Sequence, residues 1–251
     1  MTKKKYISGN FSYKTNPGKV RLSNEDQAIA LMNAYGNVLL VVCDGMGGEN
    51  KGDLASNLAL NYIKDKFNDN KKFQTAFGAY VWLNKVIRKA NSLIYSEAVK
   101  NKLYNGMGTT LTVALIVSSS IIISQVGDSR AYRLFDNKLE QMTEDQTYVE
   151  YLYKTGKIKL DEINTHPQRH VLMNALGILP SIEIDSKIKP YQNERILLCS
   201  DGLYNNVPLN TIETILKNND SCEQKANELI KIANDNGGSD NIAVVIWEAN
   251  S

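Results

Sequence analysis

The sequence predicts an α+β sandwich in which antiparallel sheets are flanked by helices, and three observations support it. Five short apolar runs rich in β-branched residues read as strands buried on both faces. Helical stripes fall between them in clusters, without the strict strand–helix alternation of a doubly wound sheet. No repeat period of roughly 20 to 50 residues recurs, which excludes a solenoid or propeller. At 251 residues the chain lies within what one domain can use, so residues 1–251 are expected to form a single domain.

Taken along the chain, Gln27–Ala34 is strand-like and Val38–Cys43 is the first wholly apolar run. Leu54, Leu58 and Tyr62 then recur at helical spacing with Ala55, Ala59 and Ile63, and Tyr80, Leu83, Ile87, Ala90 and Ile94 form a longer stripe; both are amphipathic helices. Leu111–Val117 and Ile121–Val126 form a strand pair joined through Ser118-Ser119-Ser120. From about Thr143 to Pro180 the chain turns polar, contains His166 and His170, and lacks a long apolar strand, which marks a flap over a site. Ile196–Cys199 is the next strand. Ala226, Leu229, Ile230 and Ala233 give a further helix, stopped by Asn236-Gly237-Gly238 before the last strand, Ile242–Trp247.

Composition removes several function classes. With 43% hydrophobic and 22% charged residues the chain is an ordinary water-soluble globule, not a disordered or fibrous one. Its 29 Lys and Arg against 27 Asp and Glu leave a formal charge of +2, no general field for gripping nucleic acid or an anionic membrane. The basic start around Lys3-Lys4-Lys5 lacks the apolar stretch of a signal peptide, and runs such as Leu111–Val117 are too short to cross a bilayer. Cys43, Cys199 and Cys222 have no CxxC spacing and read as buried free thiols of a reducing compartment. A cytoplasmic protein is expected, with monomer as the default state.

The informative pattern is where acids sit. Val41-Val42-Cys43-Asp44-Gly45 ends one apolar run, Val126-Gly127-Asp128-Ser129-Arg130 interrupts a second, Cys199-Ser200-Asp201-Gly202 ends a third, and Gly238-Ser239-Asp240-Asn241 precedes the last. A single Asp-Gly is ordinary turn chemistry. Four of them beside core strands would repel one another unless a cation sat among them. Carboxylate and carbonyl oxygens suit Mg²⁺ or Mn²⁺, and no Cys/His set with zinc spacing competes. Arg21-Leu22-Ser23-Asn24-Glu25-Asp26 adds two acids and a guanidinium suited to a bidentate grip on phosphate.

These segments, RLSNED at 21–26, DGMGGENKG at 44–52, GTT at 108–110, VGDSR at 126–130, HPQRHVLMNALG at 166–177, LLCSDGL at 197–203 and GGSDNIAVV at 237–245, occur in one order over nearly the whole chain. In them the sequence resembles the metal-dependent protein serine/threonine phosphatases of type 2C, in their compact bacterial form. The resemblance implies a four-layer αββα sandwich of two central, mostly antiparallel sheets with a flap. It implies that Asp44 bridges two metal ions, that Asp201 and Asp240 complete the set of the first, and that Glu25 and the Gly45 carbonyl serve the second. Asp26 and Asn241 would orient ligands or water, Asp128 with Asp201 would hold a third, weaker ion, and Arg21 would bind phosphate.

The reaction so implied is hydrolysis of phosphoserine and phosphothreonine in proteins, opposing a bacterial eukaryotic-like Ser/Thr kinase, with hydroxide held between Mn²⁺ or Mg²⁺ ions attacking phosphorus. No Cys-x5-Arg loop or GxSxG elbow supplies a protein nucleophile. Three departures from the family pattern stand out: Met46 in place of the His of DGHGG, Glu49 where His commonly follows the Gly pair, and Gln146 where Glu-Asp-His is frequent. Pro167 argues against a helix presenting His166 and His170 together to a metal. Two further readings stay open on the residues alone: a catalytically silent phosphoprotein-binding module, and a small-molecule phosphatase or nuclease using the same ions.

Overall fold

The alternating burial of the apolar runs dictates the layers. The computed structural model describes residues 7–47, 51–69 and 72–250; Glu49 and the Lys3–Lys5 run lie outside them. In β3 (Val38–Met46), Leu39, Val41 and Cys43 pack toward helices, whereas Val38, Leu40 and Val42 pack toward a second sheet. In β11 (Ile242–Ala249), Ala243, Val245 and Trp247 meet that same central layer while Ile242, Val244 and Ile246 face helices on the far side. A strand buried on both faces needs a cover on each, and the result is helices, sheet, sheet, helices.

One sheet runs β2 (Asp26–Met32), β3, β5 (Leu111–Val117), β6 (Ser120–Val126) and β9 (Asp185–Pro190), with the two-residue β4 (Gly108–Thr109) pairing the end of β3. The other runs β1 (Gly9–Asn16), β11, β10 (Arg195–Cys199), β7 (Arg130–Phe135) and β8 (Lys138–Gln141). Every paired strand is antiparallel.

Two long helices, α1 (Lys51–Asn68) and α2 (Ala76–Lys100), cover the first sheet through Ala55, Ala59, Ile63, Leu83, Ile87 and Ile94. Thr75 starts α2 by accepting a hydrogen bond from the Gly78 amide at 3.0 Å. The short α4 (Asp201–Tyr204), α5 (Leu209–Lys217) and α6 (Cys222–Asp235) cover the second sheet, α6 opened by a Ser221–Gln224 capping box. The α+β sandwich expected from the sequence is thus the observed architecture.

The segment from 143 to 180 contains α3 (Tyr148–Lys154) and a 3-10 turn at Leu160–Thr165. Its two ends are stitched together by a bridge between Thr147 and Leu172. His166 and His170 do not share a helix: His166 lies edge-on to Tyr148, and His170 reaches the other way, to 3.9 Å from Asp201. Cys43, Cys199 and Cys222 are free and buried, and burial pushes the Cys199 thiol up to about 12. No helix among the described residues is long and apolar enough to cross a membrane.

Candidate active site

The site lies where strands of both sheets end. β2 and β3 place Asp26 directly opposite Asp44 in the antiparallel register. β10 ends at Cys199, so Ser200 and Asp201 fall at the turn into α4, and Asp240 and Asn241 immediately precede β11 beside it. Ser200 joins the two sheets: its hydroxyl donates to Asp26 Oδ2 at 2.6 Å and accepts from the Ala243 amide at 2.8 Å. Sequence reasoning passed over Ser200, although it stands next to Asp201.

Each carboxylate is positioned by its backbone. The Asp44 amide donates to Thr110 Oγ1 at 3.0 Å, and the Asp44 carbonyl accepts from the Thr110 amide at 2.8 Å and Thr109 Oγ1 at 3.0 Å. The Glu25 amide donates to Asn241 Oδ1 at 2.9 Å, while Asn241 Nδ2 donates to the carbonyls of Pro17 and Ser23 at 2.9 and 2.8 Å. Asn241 therefore pins the Glu25 loop against the start of β11. Gly45 and Gly52 let this loop, β3 and α1 converge. A Cβ on Gly45 would sit 2.3 Å from the Gly52 carbonyl oxygen, and one on Gly52 would sit 2.4 Å from Glu25 Oε2. On the opposite side Thr110 Oγ1 lies 2.8 Å from Ser129 Oγ, which ties Asp44 to the Asp128 turn.

The electrostatics record the crowding. Burial pushes the Asp44 carboxyl well above the usual range, and Asp26, Asp201, Asp128 and Asp240 each push it further. Asp26 is raised well above its ordinary value by burial, against the pull of the Ser200 hydroxyl, with Asp201 and Asp240 adding to the rise. Asp128 is raised to about 8, first by burial and then by Asp201 and Asp145, with Arg130 opposing. Asp201 rises to about 6 through burial and Asp240, with Arg21 and Arg130 opposing. Glu25 is raised by burial against the pull of Arg21. Acids that raise one another's pKa in this way favour either protons or a cation between them.

Whether a hard dication suits this set can be tested on the residues themselves. The donors are carboxylate and backbone oxygens, as Mg²⁺ and Mn²⁺ require. Asp26 Oδ1 is buried without a hydrogen-bond partner, an orphan that points to something positive nearby. Among the described residues no three acid, His or Cys side chains already converge as a coordination cage. Arg21 Nη2 holds Asp240 Oδ2 at 2.8 Å. The donor chemistry of the set fits a hard dication.

Of the residues singled out in the sequence, Asp26, Asp44, Asp128, Asp201 and Asp240 are electrostatically joined, Glu25, Gly45 and Asn241 adjoin them, and Arg21 reaches in from the rim. Asp145, Tyr204 and the approach of His170 to Asp201 escape sequence reasoning because each meets the site only through the fold; Thr110 lies in the GTT segment at 108–110, but its hold on Asp44 does not show there.

A two-sheet sandwich with a carboxylate cluster across its strand ends and an arginine at the rim is an arrangement suited to holding a cation and a phosphate. Comparison with known proteins makes this specific. A sequence profile described as Protein phosphatase 2C matches residues 19–245. The serine/threonine phosphatase stp of Listeria welshimeri is 39% identical over 239 residues, 95% of either chain. The crystal structure of serine/threonine phosphatase Stp1 from Staphylococcus aureus superposes with a TM-score of 0.91 at 33% identity, covering 97% of this chain and 96% of that one. The catalytic domain of the serine/threonine protein phosphatase PstP, solved with two manganese ions, superposes with a TM-score of 0.86 at 30% identity, covering 98% of this chain and all of that one. The chain belongs to the protein phosphatase 2C family.

Proposed function

We propose that this chain hydrolyses phosphoserine and phosphothreonine in proteins with the help of divalent metal ions, as its family membership and phosphatase relatives support. The observation that favours a metal-assisted reaction is that Asp26, Asp128, Asp201 and Asp240, from separate strand ends, lie near enough to Asp44 to push its pKa up, with Asp26 and Asp128 buried. In this reading Asp44 would serve both of two ions, Asp201 and Asp240 would complete the set of the first, and Glu25 with the Gly45 carbonyl would serve the second. Asp128 with Asp201 would hold a third. Mn²⁺ or Mg²⁺ bound there would neutralise phosphate charge and lower the pKa of water at the site.

The residues of the chain supply the rest. Arg21 grips the phosphate in exchange for part of its hold on Asp240. Asn241 keeps Glu25 at the correct depth, and Ser200 keeps Asp26 turned toward Asp44 and Asp201. Met46, at the end of β3, has no proton to give the leaving alkoxide, so the general acid lies elsewhere at the site. Membership of a bacterial kinase–phosphatase system, a cytoplasmic location and a monomeric state belong to the same reading.

The decisive experiment is release of phosphate from a phosphothreonine peptide with and without Mn²⁺. Turnover should require the ion, vanish with EDTA and fall to background in Asp44→Asn. Metal-independent turnover, or an inert phosphopeptide beside a rapidly cleaved nucleotide, would overturn the proposal.

A further inference from the structure

We propose that the two ends of the 143–180 segment form a clasp on the Asp128 and Asp201 side of the site, with Arg130 and Gln146 as its positioning residues; the inference rests on the metal roles given above to Asp128 and Asp201. The geometry centres on the turn from Gly127 to Arg130. Gln146 binds both sides of Gly127: its amide donates to the Gly127 carbonyl at 3.0 Å, and its Oε1 accepts from the Gly127 amide at 2.8 Å. Gly127 has φ +99, so this pair of bonds fixes a backbone orientation few other residues adopt, immediately before Asp128.

Gln146 Oε1 also accepts from Asn174 Nδ2 at 2.8 Å, and the Gln146 carbonyl accepts from the Met173 amide at 2.8 Å. Gln146 thus joins the outgoing arm of the segment, its returning arm and the Asp128 turn, its side chain through Gly127 and Asn174 and its backbone through Gly127 and Met173. Gln146 is one of the three positions at which the sequence departs from the family pattern, and this three-way junction gives it a purpose.

Arg130 makes the second half of the clasp. Its Nε and Nη2 engage both oxygens of Asp145 at 2.7 to 3.1 Å, and Nη1 donates to the Tyr132 hydroxyl at 3.2 Å. Its guanidinium stacks 3.6 Å from the centre of the Tyr204 ring. Tyr204 is the last residue of α4, and Asp201 is the first. Arg130 therefore ties the base of the segment to the helix that carries Asp201, while Gln146 ties it to the turn that carries Asp128. A bidentate ion pair and a cation–π contact on one partly buried guanidinium hold that arrangement with little freedom.

The test compares wild type with Gln146→Met, which loses the side-chain acceptor, Gln146→Glu, which retains it, and Arg130→Lys, which keeps charge but loses the fork and the stack. Hydrogen exchange of the EDTA-treated proteins reads the clasp without any turnover. Gln146→Met and Arg130→Lys should speed exchange at residues 127–130 and 171–176 and leave β3, β5 and β6 unchanged; Gln146→Glu should restore protection. Titration with Mn²⁺, followed by calorimetry and by activity, should show a rise of about 10- to 100-fold in the ion concentration required, with kcat at saturating Mn²⁺ nearly retained. Unchanged exchange at those residues, or a loss spread evenly over the core strands, would overturn the clasp. If wild type lacks metal-dependent turnover, the proposed function fails, while exchange and calorimetry still decide the clasp.

Discussion

Arg21 has two anionic partners to choose between. In the structure its side chain, 56% exposed, holds Asp240, whose charge raises the already high guanidinium pKa. In the proposed reaction a phosphate would compete for the same fork, and a dication on Asp240 would release it. Charge-assisted hydrogen bonds are worth about 1.5–3 kcal/mol, and Arg21 is largely solvated, so the lower end applies. Arg21→Ala should raise KM for a phosphopeptide about tenfold while kcat at saturating Mn²⁺ falls less. Asp240→Asn removes a ligand charge and should cost at least about 100-fold in turnover at fixed Mn²⁺. Steady-state kinetics at several Mn²⁺ concentrations separate the two effects; an unchanged KM in Arg21→Ala would remove it from phosphate binding.

At the scale of elements, the turn from β10 into α4 is the tightest junction of the site. A Cβ on Gly202 would lie 2.0 Å from the Asn241 carbonyl oxygen, a backbone atom that cannot rotate away. Gly202→Ala must therefore push α4 off the start of β11, at a cost of about 2–3 kcal/mol of the kind seen in overpacked cores. Urea unfolding in EDTA should show a lower midpoint with unchanged slope, and a midpoint equal to wild type would mean the junction yields freely. The central strands were legible in the sequence because both faces are buried, which leaves wholly apolar runs such as Val38–Cys43 and Ile242–Trp247. Most edge strands were not. β1, β8 and β9 mix polar residues with few apolar ones, so pairing, not composition, makes them strands, whereas β2, the remaining edge strand, is apolar enough to be read within Gln27–Ala34. The site divides likewise: acids after apolar runs are visible in sequence, whereas Ser200 on Asp26, or Arg130 on Tyr204, depends on contacts across sheets and helices.

Over the whole molecule, the carboxylate cluster makes stability depend on pH in a direction opposite to that of most acids. Asp201 and Asp128 ionise at about 6 and about 8 in the fold against 3.8 as the ordinary value, and Asp26, Asp44 and Glu25 are raised as well. The folded chain therefore holds more protons than the unfolded chain across this window, so its stability falls as pH rises from about 4 to about 8. His170, lowered chiefly by burial, and the surface acids Glu144, Glu213 and Asp235, lowered chiefly by their lysine partners, work the other way, but they are solvent-screened groups, whereas the raised acids crowd one site. A divalent ion takes the place of the protons and stabilises the fold by mass action, more strongly as the acids ionise. Thermal melts of EDTA-treated protein should give a Tm that declines across that range, and saturating Mn²⁺ should raise Tm more at its alkaline end than at its acid end. Asp44→Asn should flatten both trends by removing the charge that sits between the others. A metal-free Tm that is level or rises from about pH 4 to about pH 8 would show that these carboxylates do not repel one another as their burial requires.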